Sequence, residues 1–397
     1  MTDTGAVESD TEIAELVTAL LDGQHRALAR AISKIEDREP GYRDLVSRLY
    51  EYTGTATTIG VTGSPGAGKS TLVDKLAATY RDRGETVGVI AVDPSSPYTG
   101  GAVLGDRIRM GSNVGDMDVF FRSMSARGQL GGLATATADA IRALDAFGKD
   151  RIIIETVGAG QNEIDVVRAA DTVAVLVQPG SGDDVQTLKA GILEIGDLFI
   201  VNKADMDGAN RTTTQLEEMI HLDDNSSAQL TTGHHGSGTT AHATQPSSGD
   251  GDGDHDGGEA GAADDDSATD EAAATESWTP AVVETVAIDG TGVEELLDAA
   301  DGHRAYLEAS GTLQQKRRRR HAEEIRRLLQ DDVGNLLEDE LERHGGVDAL
   351  AEQVANRETD PYTAADQLLA PLEGYLEQRD HGDTNSDPDP DLDPDSV

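Results

Sequence analysis

The sequence predicts an α/β fold, a mostly parallel sheet flanked by helices, with further helices at both ends of the chain. Two observations carry this. First, short apolar runs recur: TTIGVTG (57–63), TVGVIAV (86–92), DVFF (118–121), RIIIE (151–155), TVAVLV (172–177) and LFIVN (198–202), most of them separated by stretches of ten or more residues with helical spacing. Runs of this kind, apolar throughout rather than alternating, are strands covered on both faces. Second, the first run leads into GSPGAGKS (63–70). This is the G-x-x-x-x-G-K-[ST] pattern of a P-loop, in the strand-then-helix setting that the motif requires.

The elements follow in chain order. Ile13, Leu16, Val17, Leu20 and Leu21 recur at three- and four-residue spacing, a second helix is expected over 24–35, and a third begins near Tyr42. Residues 1–54 are read as an N-terminal helical extension and 55–221 as a nucleotide-binding core. In the P-loop, Gly63, Ser64, Pro65, Gly66, Ala67 and Gly68 turn backbone N–H groups toward phosphate oxygens, and the helix that follows adds its positive end. Lys69 is expected at the β- and γ-phosphates, the Ser70 hydroxyl on Mg²⁺, and Thr71 at the α-phosphate. DPSSPYTGGAVLGDRIRM (93–110) places Asp93 at a strand end and Asp106 in a glycine-bearing stretch. Acids in such a loop beside a P-loop bind Mg²⁺ or its waters, or hold a nucleophilic water.

IIIETVGAGQNE (152–163) reads as a buried strand delivering Glu155 to a polar turn. Glu155 is expected in the Mg²⁺ shell, held through water, and the N–H of Gly158 near the γ-phosphate. A self-sufficient switch GTPase carries a water-positioning glutamine just after that glycine. Here the residue is Ala159, and Gln161 lies after a second glycine. The pattern fits slow hydrolysis completed by a partner.

NKAD (202–205) ends the sixth run. Asp205 can accept two hydrogen bonds from the N1 and N2 donors of guanine. Adenine offers no such pair, and a buried acid left unpaired rejects it. Asn202 is assigned to the other base edge and the Lys203 stem to the ring. These residues make GTP the ligand. A late strand, AVVETVA (281–287), leads to Val286, Ala287 and Ile288, assigned as the third base-contact loop.

Residues 222–277 separate the core from its last part, 278–300. They are rich in Gly, Ser, Thr, Asp and Ala, with GDGDGDHDGG at the centre, and are read as a disordered acidic insertion. The histidines in and beside it (221, 234, 235, 242 and 255) are irregularly spaced, and the calcium-loop echo lacks its terminal glutamate. VEELLDAADGHRAYLEA and a long helix over about 313–343 follow, within a C-terminal helical arm assigned to 301–379. KRRRRH (316–321) is read as a solvated or ion-paired helix face, with a nucleic-acid patch as the alternative. Residues 380–397, with Asp-Pro repeats, are read as a disordered tail.

The formal net charge is −43, with seven lysines against 25 arginines. A high-salt cytosol favours such a surface; the alternative is that acidic segments dominate the count. The charge argues against non-specific binding to nucleic acid or anionic membrane. With no cysteine, disulfides and thiolate metal sites are excluded. MTDTGAVESD lacks the apolar core of a signal peptide, and no apolar run is long enough to span a bilayer, so a cytoplasmic location is expected.

GVTGSPGAGKST, VDPSSPYTGGAVLGDRIRM, SARGQLGGLA, ETVGAGQNE, VQPGSGDDVQTLKAGI and NKAD, in this order, resemble the MeaB/ArgK (methylmalonic aciduria type A-like) family over about residues 10–221 and 278–345. The resemblance implies a homodimeric GTPase joined through helical extensions. Its partner would be an adenosylcobalamin-dependent methylmalonyl-CoA mutase or a related acyl-CoA mutase, whose cofactor loading it gates and which it protects or rescues. It also implies phosphate, metal and catalytic roles for Lys69, Asp93, Asp106 and Glu155. The stretch 178–191, with Asp183 and Lys189, matches a switch that relays nucleotide state to the mutase. The acidic insertion and tail depart from the family pattern. The alternative function is a GTPase metallochaperone of the nickel-insertion type, which normally needs Cys or His ligands near the nucleotide domain.

Overall fold

The structure, a computed structural model, describes residues 4–93, 115–125, 132–156, 158, 161–180, 195–231, 277–343, 345–366 and 369. Seven strands form one sheet: β1 (Thr57–Gly63), β2 (Val87–Asp93), β3 (Val119–Ser125), β4 (Arg151–Thr156), β5 (Thr172–Val177), β6 (Leu198–Asn202) and β7 (Ala281–Thr285). Their order is β3-β2-β4-β1-β5-β6-β7, and every pairing is parallel. All seven strands therefore end on one edge. That edge carries Gly63, Asp93, Thr156, Val177 and Asn202, where ligands of open α/β sheets bind.

The apolar runs sort by parity, as a pleated strand requires. Ile152 and Ile154 enter one core cluster and Ile153 another. Likewise Val173, Val175 and Val177 of β5 face one way, and Ala174 and Leu176 the other. On one face lie α4 (Lys69–Asp82) and α8 (Val293–Ala309), whose Leu72, Val73, Leu76, Leu296 and Leu297 pack against Val61, Ile153, Leu176 and Ile200. The other face carries α5 (Gly132–Ala146), α6 (Gln161–Val167) and α7 (Ala209–Thr231). Onto α5 and the strands beneath it pack α1 (Thr4–Leu21), α2 (His25–Glu36) and α3 (Tyr42–Leu49), through fully buried Leu20, Leu28, Ile32 and Leu45. Asp145 of α5 locks the entry to β1. It accepts the Gly54 N–H at 2.6 Å, the Ala56 N–H at 3.0 Å and the Thr55 hydroxyl at 3.0 Å.

The structure departs from the sequence reading at several boundaries. β3 runs four residues past the predicted DVFF, through the polar RSMS. Polar residues are tolerated there because β3 is an edge strand and most of its side chains are only half-buried. β7 stops at Thr285, and Val286 instead bridges to Thr291, closing a turn. α7 continues to Thr231, into the segment assigned to the acidic insertion; residues 232–276 lie outside the described residues, as does the 380–397 tail. α8 passes unbroken through the predicted 300/301 boundary. The chain divides instead after Lys316, so α1–α3 belong to the same compact unit as the sheet. The second unit begins inside α9 (Thr312–Arg343) and includes α10 (Gly346–Ala355). In it Ile325, Leu329, Val333 and Leu336 are exposed at spacings of three and four, a single helical stripe. Among the described residues no helix is long and apolar enough to cross a membrane.

Candidate nucleotide and metal site

The site starts with the turn between β1 and α4. Gly68 sits at φ 96°, and a Cβ there would lie 2.4 Å from Asn202 Nδ2. Both the left-handed backbone and the close approach exclude any larger residue. Pro65 and Gly66 are exposed at the tip and Ala67 is buried beneath it. Lys69 opens α4 and is only 6% exposed. A buried ammonium requires acceptors, and its Nζ donates to the carbonyls of Gly63 at 2.7 Å and Ser64 at 3.0 Å. Its charge is thus held against the loop itself. Thr71, two residues further on, is exposed.

β4 pairs with β1 so that Glu155 stands opposite Val61, one strand from the P-loop. The carboxylate is buried, and it accepts a hydrogen bond from the Ser70 hydroxyl. Two residues 85 positions apart in sequence, both assigned to the metal, are therefore brought together. A hydroxyl and a carboxylate are hard oxygen donors, a chemistry that suits Mg²⁺. Asp93 ends β2 on the same edge, next to β4, with Val92 paired to Thr156. Its side chain, Asp106, Ala159, Asp183 and Lys189 lie outside what is described.

Gly158 is fixed by two fully buried threonines. Its carbonyl accepts from Thr62 Oγ1 at 2.8 Å and Thr156 Oγ1 at 2.9 Å, and the two hydroxyls are 3.0 Å apart. Sequence reasoning passed over both threonines. Their signal was a polar residue closing each of two otherwise apolar runs. Gln161 is the first residue of α6, so its backbone belongs to a helix rather than to the turn.

On the base side Asn202, assigned from the sequence to a base edge, is 2% exposed and its amide ties three segments together. Nδ2 donates to Ala67 O at 2.7 Å, and Oδ1 accepts from the Thr285 hydroxyl and the Ala287 N–H, each at 3.1 Å. The physical reason is its place at the end of an interior strand, where an amide without partners would be costly. The assigned third base-contact loop is held by its own hydrogen bonds. The Ala287 N–H is committed to Asn202. The Val286 N–H goes to Thr291 O at 3.0 Å, and the Val286 carbonyl accepts from Asp289 and Gly290. Of the three only Ile288 is exposed. Lys203, at φ 62°, sends its Nζ to Gly66 O at 2.8 Å and to Gln178 Oε1 at 3.1 Å, alongside the P-loop. Asp205 is exposed in the turn after β6.

A family model described as Methylmalonyl Co-A mutase-associated GTPase MeaB matches residues 28–342. The chain belongs to this family. Among MeaB relatives, a putative GTPase of Pyrococcus abyssi is 42% identical, over 91% of this chain and 97% of that protein. The GTPase ArgK of Escherichia coli is 31% identical, over 91% and 96%. The mitochondrial methylmalonic aciduria type A homolog of Mus musculus is 29% identical, over 89% and 78%. A solved structure titled LAO/AO transport system kinase superposes with a TM-score of 0.58 at 25% identity, covering 91% of this chain and 98% of that one. The protein is a P-loop GTPase of the MeaB family, with the all-parallel sheet and helical additions described above.

Proposed function

We propose that this GTPase serves an adenosylcobalamin-dependent methylmalonyl-CoA mutase, or a related acyl-CoA mutase, gating cofactor loading and protecting or reactivating the enzyme. The observation that carries the reading is the match to mutase-associated GTPases over 28–342, which spans the nucleotide site and the helices on either side of it. Lys69 holds phosphate charge. Ser70, Glu155, Asp93 and Asp106 form the Mg²⁺ side of the site, and Asp205 selects guanine. When bound, Mg²⁺ neutralises charge on the phosphates. The chain's own part is positioning: the P-loop backbone orients the nucleotide, Lys69 stabilises negative charge, and the carboxylates hold the attacking water. Ala159 leaves the water without a glutamine of its own, which supports slow turnover raised by the partner.

The exposed stripe Ile325–Leu329–Val333–Leu336 supports a homodimer joined through α9, because an apolar helix face of that regularity is normally covered. The charge of −43 supports a cytoplasm rich in salt, in which unfolding midpoints would rise with KCl. The test is GTP turnover with and without the cognate mutase. A rate raised at least tenfold by the mutase is expected, and indifference to the mutase would sink the reading.

A further inference from the structure

The carboxyl edge of the sheet has a charged neighbour that the nucleotide chemistry does not explain. Glu36 is the last residue of α2, and its side chain is only 4% exposed. A carboxylate is badly placed there. The carbonyl end of a helix is its negative end, and burial adds a desolvation cost. Two contacts compensate. Glu36 Oε2 lies 2.7 Å from an Arg122 guanidinium nitrogen, which also donates to Ser33 Oγ at 3.1 Å. Glu36 Oε1 accepts the backbone N–H of Ser125 at 3.3 Å.

The second contact is the informative one. Ser125 is the last residue of β3, and β3 is the edge of the sheet, so among the described residues no further strand accepts that N–H. Glu36 takes the place of the missing strand. Ser125 is also paired in register with Asp93, the last residue of β2. Neighbouring strands lie about 4.8 Å apart, so the Glu36 carboxylate is one hydrogen bond and one strand from the Asp93 backbone. On the other side of β2, Glu155 stands opposite Ala91.

We propose that Glu36 is a positioning residue for GTP turnover. It pins the end of edge strand β3, and through it the strand end that carries Asp93, making the N-terminal helices part of the nucleotide site's scaffold. This rests on the reading of Asp93 as a metal or water-holding acid.

The test is steady-state GTP hydrolysis by the full chain over a range of Mg²⁺, comparing Glu36→Ala, Glu36→Gln, the charge-neutral pair Glu36→Ala/Arg122→Met, and Asp93→Asn as reference. A strand end displaced by a fraction of an ångström should lower kcat about tenfold and raise the half-saturating Mg²⁺ several-fold in both alanine variants. The KM for GTP should stay within about twofold, because the P-loop is untouched. Glutamine still offers an oxygen to Ser125 and should restore most of kcat. The double variant removes both charges and keeps the comparison if Glu36→Ala alone folds poorly. Alanine variants with unchanged kcat and Mg²⁺ dependence, whatever their melting temperature, would overturn the proposal, as would glutamine failing to rescue. If Asp93→Asn abolishes turnover while the Glu36 variants do nothing, only this proposal falls. If Asp93→Asn is silent, the assignment of Asp93 falls with it.

Discussion

At the carboxyl edge of the sheet, Lys69 and Glu155 are buried against the P-loop and the start of α4: Lys69 against the Gly63 and Ser64 carbonyls, Glu155 against the Ser70 hydroxyl. The amino edge also holds buried polar groups, and their partners are structural. Asp171 takes Arg304 at 2.7 Å. Asp197 takes Lys316 at 3.1 Å and the Val173 N–H at 2.8 Å, and lies 3.4 Å from His303 Nε2. His303 Nδ1 meets the Thr172 hydroxyl at 2.9 Å, and the only tryptophan, Trp278, packs on the ring and donates to Asp197 O at 2.9 Å. The carboxyl edge carries the residues assigned to nucleotide and metal, and the amino edge spends its polar groups on holding α8 and the start of α9 to the strands. The same chemistry should therefore report as turnover at one edge and as stability at the other.

Four experiments test that contrast. Lys69→Ala should lower single-turnover GTP hydrolysis by about a thousandfold, the scale of losing a preorganised charge donor, with a much smaller change in melting temperature. Normal turnover by this variant would end the assignment. At the amino edge, burial, the largest influence, pushes the His303 imidazole down to about 4. A base held below its unfolded value keeps its full contribution above pH 6.5 and loses it as pH falls toward 4. Unfolding free energy should therefore drop by about 3 kcal/mol across that window. Denaturant titrations of the parent and of His303→Gln check this, and a slope that survives the substitution refutes it. Asp205→Asn should narrow the preference for GTP over xanthosine triphosphate by about thirtyfold in competition, leaving stability alone. The smallest effect belongs to Tyr80. Its ring is fully buried under the Arg151 guanidinium, 4.7 Å away, and its hydroxyl has no hydrogen-bond partner among the described residues. Tyr80→Phe should leave turnover unchanged and raise stability by about 1 kcal/mol, read by thermal melting.

Much of this was legible in the sequence where one physical rule governed. A strand buried on both faces is apolar throughout, so β1, β4, β5 and β6 could be read within a residue. A P-loop needs glycine where φ is positive and the backbone is crowded, so Gly68 announced itself. β3 was read short because RSMS is polar, and an edge strand does not need to be otherwise. The partners of Asn202 and Thr62, among them Ala67, Ala287, Gly158 and Thr156, come from distant segments that only the sheet order brings together, so these bonds leave no local mark in the sequence. Glu36 was invisible on the same account, since nothing in α2 hints that its last residue will meet the edge of a sheet.

The Asn202 amide has a consequence for the order in which the molecule is made. Its partners include Ala287, beyond β7, and nearly eighty residues separate β6 from β7. Closing so long an excursion adds little equilibrium cost over a short one, because loop entropy grows only logarithmically with length. It does slow the encounter, as distant contacts form last. Until β7 docks, Asn202 lacks two of its partners and the carbonyl of Ala67 is held by an amide that is itself unanchored. Guanine-nucleotide affinity should thus appear late in refolding, after most secondary structure, making nucleotide capture a signal that the chain has finished folding.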